Sequence, residues 1–405
     1  FTELKGLELN GYALPEHTDA GALDRAEPIF KQGGNTVRFS QVDGEIVHAG
    51  TDLPAADSNG LPCAPVVCSI EVAAEQYPKL IERELGSIID RDELFIARND
   101  ASWRGGLLVY VPKGQTLESP VISSVLLHNA KELGWRVLIV LEENSEAEVW
   151  EQSLTTGESV SAILNTVYEI RVGESARLRF VSGQELSEKS WIFGTQRAIV
   201  ERSGSLDWVT LGFGSGGGKV RLETRLAGKG ADARVTGAYA SRNSQHIDYD
   251  TIQEHGATNT TSDLAFRGIL DDRSTSVWRG MIRVEPGAQS TDAFQESRNL
   301  LLTRKAHADA IPGLEIEADD VRCTHAAAIA TAAGTNPYAT PGNASPATNA
   351  RNVSSRYAET FSAWTSSNMK FGMRVRGRKM CGFFTHCTIH AGSALAPMRR
   401  SDGPI

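Results

Sequence analysis

The sequence predicts a mainly β fold in which many short strands form one long array. Apolar and polar residues alternate in runs of strand length, such as 264–270 and 278–284. Turn clusters, such as 271–274 and 285–288, separate these runs at a regular spacing of about 8 to 15 residues. An array of this length must close, split or coil to avoid a long exposed edge, which leaves a sandwich, a barrel or a β-helix. The regular spacing favours a solenoid.

Composition limits the class of protein. The chain of 405 residues has a net charge of −9 and 7% aromatic residues. These values argue against a nucleic-acid-binding protein, because binding to phosphates needs a surface of clustered Lys and Arg. Five cysteines are too sparse for a secreted disulfide framework, and Cys63 and Cys68 have no histidine nearby, so we interpret them as structural thiols. No apolar run approaches the roughly 20 residues that span a bilayer. We expect a soluble protein of the cytoplasm, with the plastid stroma as the alternative.

The sequence pattern predicts that residues 1–100 form a first unit of mixed loop and helix. Within it, residues 69–89 place Tyr77, Leu80 and Leu85 at helical spacing, with acidic residues early. This pattern is typical of a short amphipathic helix.

Residues 101–328 predict the β core. Its strand-length runs are rich in Val, Ile, Leu and aromatic residues and include 106–112, 135–141, 147–151, 177–181, 206–211 and 220–226. The last two alternate strictly, which predicts one wet and one dry face. The glycine run at 212–219 is followed by a strand rather than the helix of a phosphate-binding P-loop, so we interpret it as a loop between coils.

Five blocks within this core resemble SufD of the SufB/SufD family, the β-helical subunits of the SUF iron-sulfur cluster assembly complex. They are Gln-His-Ile-Asp at 245–248, Gly-Ile-Leu-Asp-Asp at 268–272, Pro-Gly-Ala-Gln at 286–289, Arg-Asn-Leu-Leu-Leu at 298–302, and the block 314–325. The resemblance implies a right-handed parallel β-helix preceded by a helical region. It also implies a non-enzymatic scaffold subunit that pairs with a SufB-like subunit and with a SufC-like ATPase, which would carry the ATPase activity.

Cys323 and His325 are the candidate site residues. At positions i and i+2 of a strand, both side chains leave the same face roughly 6 to 7 Å apart. Thiolate and imidazole suit iron-sulfur chemistry, whereas the plainer interpretation is a half-buried thiol beside a surface histidine. The resemblance places His325 at a family histidine that faces SufB and is implicated in nascent cluster assembly, and Cys323 at a family cysteine. It implies a transient iron-sulfur cluster at the interface with SufB and no nucleotide bound by this chain.

Two other functions stay open on sequence alone. A polysaccharide-active β-helix could use the carboxylate pairs Asp271-Asp272 and Asp319-Asp320 with Arg298 as a base, and a purely structural solenoid would have no site. Adjacent residues on a strand point to opposite faces, so neither carboxylate pair converges on one ion unless it lies in a turn. Turn formation explains both pairs.

Residues 329–405 predict an atypical tail in place of the helical domain that the family uses to bind SufC. Residues 327–350 contain no charged side chain and are mostly Ala, Thr, Asn, Gly and Pro, a composition that predicts disorder. From residue 326 onward, the chain contains nine Lys and Arg residues and only two acidic residues, Glu359 and Asp402. This part therefore has a net charge of +7, whereas the whole chain has a net charge of −9. This change favours a shifted reading frame as the origin of the tail, and it predicts weak SufC binding.

Overall fold

Two long parallel sheets form a right-handed parallel β-helix of about eight turns. The computed structural model describes residues 19–26, 28–31, 35–89, 93–331 and 389–390. Most of the predicted tail, including its predicted disorder, lies outside these residues. No helix in the described part of the chain is long and apolar enough to cross a membrane.

The elements have the following bounds. The helices are α1 Ala22–Arg25, α2 Ile70–Gln76, α3 Pro78–Glu84 and α4 Leu94–Ser102. The first strands are β1 Phe30–Lys31, β2 Val37–Val42, β3 Glu45–Ala49, β4 Val66–Ser69, β5 Trp103–Val111, β6 Val121–Leu127, β7 Glu132–Leu141, β8 Glu146–Thr155, β9 Ile163–Val172 and β10 Arg177–Glu185. They continue as β11 Trp191–Val200, β12 Ser205–Gly212, β13 Gly217–Leu226, β14 Asp232–Ser241, β15 His246–His255, β16 Thr261–Leu270, β17 Thr275–Val284, β18 Thr291–Leu301, β19 His307–Ile316, β20 Val321–Thr331 and β21 Ile389–His390.

Successive strands alternate between the two sheets, so each pair of strands makes one coil. The even sheet has the order β20-β18-β16-β14-β12-β10-β8-β6-β2-β3, and the odd sheet has the order β19-β17-β15-β13-β11-β9-β7-β5-β4. A separate pairing joins β1 to β21. The strands predicted at 264–270 and 278–284 are β16 and β17. Of the glycine run at 212–219, only residues 213–216 form the predicted loop, because Gly212 ends β12 and Gly217 begins β13.

Exact register between coils stacks like positions into columns that run along the axis. One column on the inner face of the even sheet, hereafter the central column, contains Val121, Val149, Phe180, Trp208, Val235, Leu264, Gln295 and His325. Every member before His325 is buried. Each large apolar side chain removed from water in this way contributes about 1.5–3 kcal/mol, which makes the column a main source of stability.

The two ends of the β-helix differ. At the first end, β3 pairs with β2 and β4 pairs with β5, both antiparallel. The short strands β3 and β4 therefore cover the edges of the two sheets at this end. At the other end, β19 and β20 are full-length parallel strands, and no residue in the described ranges pairs with their outer edges. Strands β2 to β4 lie before residue 100, yet they belong to the same sheets as the core. The domain boundaries at residues 100 and 328 stay predictions.

The helix expected over residues 69–89 is wrong as a single element. The chain forms α2 and α3, separated at Tyr77, whose backbone has left the helical region. Pro78 follows, and its ring disfavours a helical conformation in the preceding residue. The Ser69 hydroxyl caps α2 by accepting a hydrogen bond from the N–H of Val72 at 3.2 Å. Both helices pack against the outer face of β5 and β7, where Leu108 lies buried.

Glu151 is a carboxylic acid that lies inside the β-helix, where the structure also buries the ionisable groups of His255 and of three tyrosines. Glu151 of β8 is 1% exposed and accepts hydrogen bonds from Trp135 Nε1 and Ser123 Oγ, both at 3.2 Å, and from the Tyr168 hydroxyl. Burial raises the pKa of Glu151 to about 7, although these three hydrogen bonds act to lower it. The folded protein therefore retains a proton on Glu151 at a pH where the unfolded chain has lost it.

Replacement of a core tryptophan should reduce stability strongly. Trp278 is fully buried, and its ring centroid lies 6.1 Å from that of Phe266. We expect Trp278→Ala to lower the free energy of unfolding by about 3–5 kcal/mol, measured by urea denaturation. The control Leu94→Ala, at a side chain that is 62% exposed, should change it by less than about 0.5 kcal/mol. Equal effects of the two variants would contradict the packing described.

Glu151 should make stability depend on pH. Because its folded pKa of about 7 exceeds the ordinary value of 4.5, the native state binds more protons than the unfolded state between these values. The contribution of Glu151 to stability should therefore fall as pH rises through this window, by an amount on the order of 3 kcal/mol, and then level off. Buried His255, whose pKa is lowered by burial to about 4, contributes in the opposite direction below its ordinary value of 6.5, so the Glu151 effect is read as a difference between variants. Urea denaturation across the window should show that the stability difference between the wild type and Glu151→Gln changes with pH by this amount, whereas the difference between the wild type and Glu146→Gln, a partly exposed position on the same strand, stays constant. An unchanged pH profile in Glu151→Gln would show that another group is responsible.

Candidate functional site

The candidate residues lie on β20, the last strand of the even sheet. Register with β18 places Cys323 opposite Ala293 and His325 opposite Gln295. Ala293 and Gln295 are buried, so both candidates continue inward-facing columns. No described coil follows β20, and the end of the central column is therefore open to solvent at His325.

Cys323 is half-buried at this end. It packs against a small apolar cluster that includes Ile282, Val284 and Ala293. Burial raises the pKa of the Cys323 thiol, and the negative charge of Asp292 raises it further. The thiol therefore stays protonated at neutral pH, and binding of a metal would have to displace that proton.

His325 is exposed, and its side chain makes no hydrogen bond or ion pair with any residue that the structure describes. The residue beneath it, Gln295, is fully buried and joins the two sheets by donating from Nε2 to the carbonyl oxygens of Gly313 at 2.9 Å and Gly280 at 3.4 Å. Gln295 thus fixes the layer directly beneath His325 and leaves the imidazole of His325 available to an external group.

The site offers two candidate ligands from this chain, Cys323 and His325. Side chains two residues apart on a strand lie roughly 6 to 7 Å apart, a separation that a multi-iron cluster or two nearby metal ions could bridge. Within the described ranges, no three His, Cys, Asp or Glu side chains come close enough to hold a metal ion. The assignment of Cys323 and His325 as ligands therefore stays a prediction, and any further ligands would have to come from outside the described residues.

The carboxylate pairs lie in turns, as predicted. Asp271 accepts a hydrogen bond from the N–H of Asp272 at 2.8 Å, and Asp272, whose φ is +51°, accepts one from the N–H of Asn243 at 3.0 Å. In the turn before β20, the Asp320 carboxylate accepts a hydrogen bond from the Ser290 hydroxyl at 3.1 Å. These bonds build turns, which explains the carboxylates without a bound ion.

Arg298 offers little as the base of a polysaccharide-active site. It lies within β18, and its guanidinium pairs with the Glu296 carboxylate at 3.0 Å. The two amino-terminal cysteines are free thiols: Cys63 is exposed, and burial together with the charge of Glu71 raises the pKa of Cys68 to about 12. The placement of Cys68 in the core agrees with a structural role.

Sequence reasoning missed the apolar rim of the last coil. We define the rim as Ile311, Leu314, Ile316 and Ile329, which are between 36% and 47% exposed. Leu314 and Ile316 lie opposite Ile282 and Val284 of β17, both fully buried, so they occupy core columns that end in solvent. Their alternation in sequence matches that of the interior strands, which is why it gave no signal of exposure.

Comparison with known proteins decides the family. The family described as the SUF system FeS cluster assembly, SufBD core domain, matches residues 127–333, about half of the chain. The chain belongs to the SufBD family. The matched range covers the coils from β7 onward and ends just after β20, so it includes Cys323 and His325.

Individual relatives agree with this assignment. The chain is 28% identical over 271 residues to the iron-sulfur cluster assembly protein SufD of Bacillus subtilis, covering 65% of this chain and 61% of that protein. It is 27% identical over 260 residues to a SufBD family protein of Staphylococcus saprophyticus, covering 64% of this chain and 56% of the relative. The chain thus spans about 60% of the length of the curated relatives it matches.

Proposed function

We propose that this chain is a non-enzymatic scaffold subunit for iron-sulfur cluster assembly, which pairs with a SufB-like subunit through the open end of its β-helix and presents His325 there. The observation that carries the proposal is the position of His325 at the exposed end of the central column, on a strand whose outer edge no described residue covers. Membership of the SufBD family supports the same function.

The open end has the properties of a pairing surface. Strands β19 and β20 each present a row of backbone N–H and C=O groups that can continue the sheets into a second subunit. The apolar rim adds side chains that gain free energy when they leave water. An isolated edge of this length is prone to unspecific association, so a dedicated partner would also protect the chain from aggregation. We expect the interface to include residues 290–325.

The chemistry of the site suits an assembly intermediate. An exposed imidazole without a bond in the described part of the chain can bind iron without loss of an existing interaction. The thiol of Cys323 can join when iron displaces its proton, because a metal lowers the pKa of a thiol. In this proposal the remaining ligands come from the SufB-like subunit, and the cluster is cargo that leaves after assembly.

The ATPase partner is a separate part of the proposal. ATP hydrolysis belongs to a SufC-like subunit, and this chain binds no nucleotide at the glycine run, which joins two strands. The region that we expect to replace the SufC-binding domain lies outside the described residues, so weak SufC binding stays a prediction. We place the complex in the cytoplasm, with the plastid stroma as the alternative.

Loss of His325 should separate assembly of the complex from assembly of the cluster. The side chain is exposed, so His325→Ala leaves no apolar cavity and should co-purify with the SufB-like subunit as the wild type does. Reconstitution with iron and sulfide, followed by visible absorption, should be about tenfold slower or worse, as expected for loss of a ligand. We expect a milder effect from Cys323→Ala.

His48→Ala is the control, because His48 is a partly exposed histidine on β3, at the opposite end of the β-helix from the proposed pairing surface. It should leave both co-purification and reconstitution unchanged. Cluster formation at the wild-type rate in His325→Ala would refute the ligand role. Failure of the wild-type chain to co-purify with the SufB-like subunit would refute the pairing.

A further inference from the structure

Positively charged side chains cluster at a corner of the β-helix that lies away from Cys323 and His325. Three successive turns that lead from the even sheet to the odd sheet stack there: 242–245, 271–274 and 302–306. They enclose a surface cavity of about 600 Å³, a volume within the range of small-molecule sites. Its lining residues are Asn243, Ser244, Asp272, Arg273, Thr303, Arg304 and Lys305.

The three turns hold one another in place. The N–H of Arg273 donates to the carbonyl oxygen of Asn243 at 2.9 Å, and the Thr303 hydroxyl donates to that of Asp272 at 2.6 Å. The third turn is one residue longer than the other two and supplies the adjacent cations Arg304 and Lys305. These bonds fix the backbone of the turns that form the cavity walls, which lowers the part of the entropic cost of binding that comes from ordering the loops.

The cations of this cavity have no partners among the residues that the structure describes. Arg273, Arg304 and Lys305 make no side-chain hydrogen bond or ion pair there. In contrast, the single lining carboxylate, Asp272, is bound to the N–H of Asn243 at 3.0 Å. Two further acids lie at this corner outside the cavity lining: Glu188 pairs with Arg242 at 3.0 Å, and Asp271 accepts a hydrogen bond from the N–H of Asp272 at 2.8 Å.

This arrangement is unusual in a chain with a net charge of −9, in which many other arginines pair with carboxylates. Three unpaired cations against one occupied carboxylate favour a ligand that carries more than one negative charge. Guanidinium groups match phosphate oxygens with two parallel hydrogen bonds, and lysine adds a compact charge. Ser244 adds a hydroxyl that no described residue engages.

The geometry points to a binding site for the phosphate or pyrophosphate group of a small molecule, formed by Arg273, Arg304, Lys305 and Ser244. The site stands apart from the proposed cluster chemistry: along β20, residue 331 lies beside this corner, because it pairs with Leu301, the residue before the third turn. His325 is six residues earlier on that strand, about 20 Å away at the rise of an extended chain.

Calorimetry on the full chain tests this site with inorganic phosphate, pyrophosphate and ADP as probes. We expect one saturable site for pyrophosphate, weaker binding of phosphate, and weakening of both as salt screens the cations. Arg273→Ala, Arg304→Ala and Lys305→Ala should each weaken pyrophosphate binding by about tenfold, the usual effect of removing one charged hydrogen bond. Tighter binding of ADP than of pyrophosphate would identify a nucleotide as the source of the group, and equal binding would identify the inorganic anion.

The control is the double variant Arg177→Ala/Lys229→Ala, which removes two exposed cations from turns and strand ends elsewhere. It should bind pyrophosphate as the wild type does, and thermal melting should show that all variants remain folded. The proposal is overturned if the wild type shows no saturable binding. It is also overturned if the control variant loses as much affinity as the three pocket variants.

Discussion

Each coil of this β-helix depends on its neighbours for hydrogen bonds, because every inner strand donates and accepts along both of its edges. The parallel ladders keep their register from β6 to β20, so residues at one height form columns through the core. At the first end, short antiparallel strands cover the sheet edges, and two helices cover the outer face of the odd sheet. The last coil has no such cover among the described residues, and its unsatisfied edges are the physical basis of the proposed partnership.

The same register determines the chemistry at the open end. The central column is apolar from Val121 to Leu264 and becomes polar at the buried Gln295, and it meets solvent only at His325. Gln295 joins the two sheets and fixes the last closed layer. His325 therefore occupies a core position by register but is exposed because the stack stops there. A side chain on a regular strand is positioned more rigidly than one on a loop, which supports the ligand role that we propose for His325.

The local sequence pattern predicted the strands well. Apolar and polar residues alternate because each strand has one buried and one outer face, and clusters of turn residues mark the corners of each coil. It also predicted that Asp271, Asp272 and Asp320 build turns. The break at Pro78 could have been predicted from the proline itself, but the helical spacing of Tyr77, Leu80 and Leu85 concealed it. The exposure of Leu314 and Ile316 could not be predicted from alternation, because it depends on whether another coil follows. The phosphate-binding corner was also missed, since Asn243, Arg273 and Arg304 are about 30 residues apart and meet only after coiling. The role proposed for His325 came from the family and not from its spacing to Cys323.

The central claim is that the open end of the β-helix is the surface that meets the partner. Hydrogen–deuterium exchange of residues 321–331, measured for the chain alone and in complex with a SufB-like subunit, tests it most directly. The backbone amides on the outer edge of β20 should exchange quickly in the free chain and become protected in the complex, as those of the interior strand β16 are in both states. A stable complex in which β20 exchanges as fast as in the free chain, with protection appearing elsewhere, would contradict the claim.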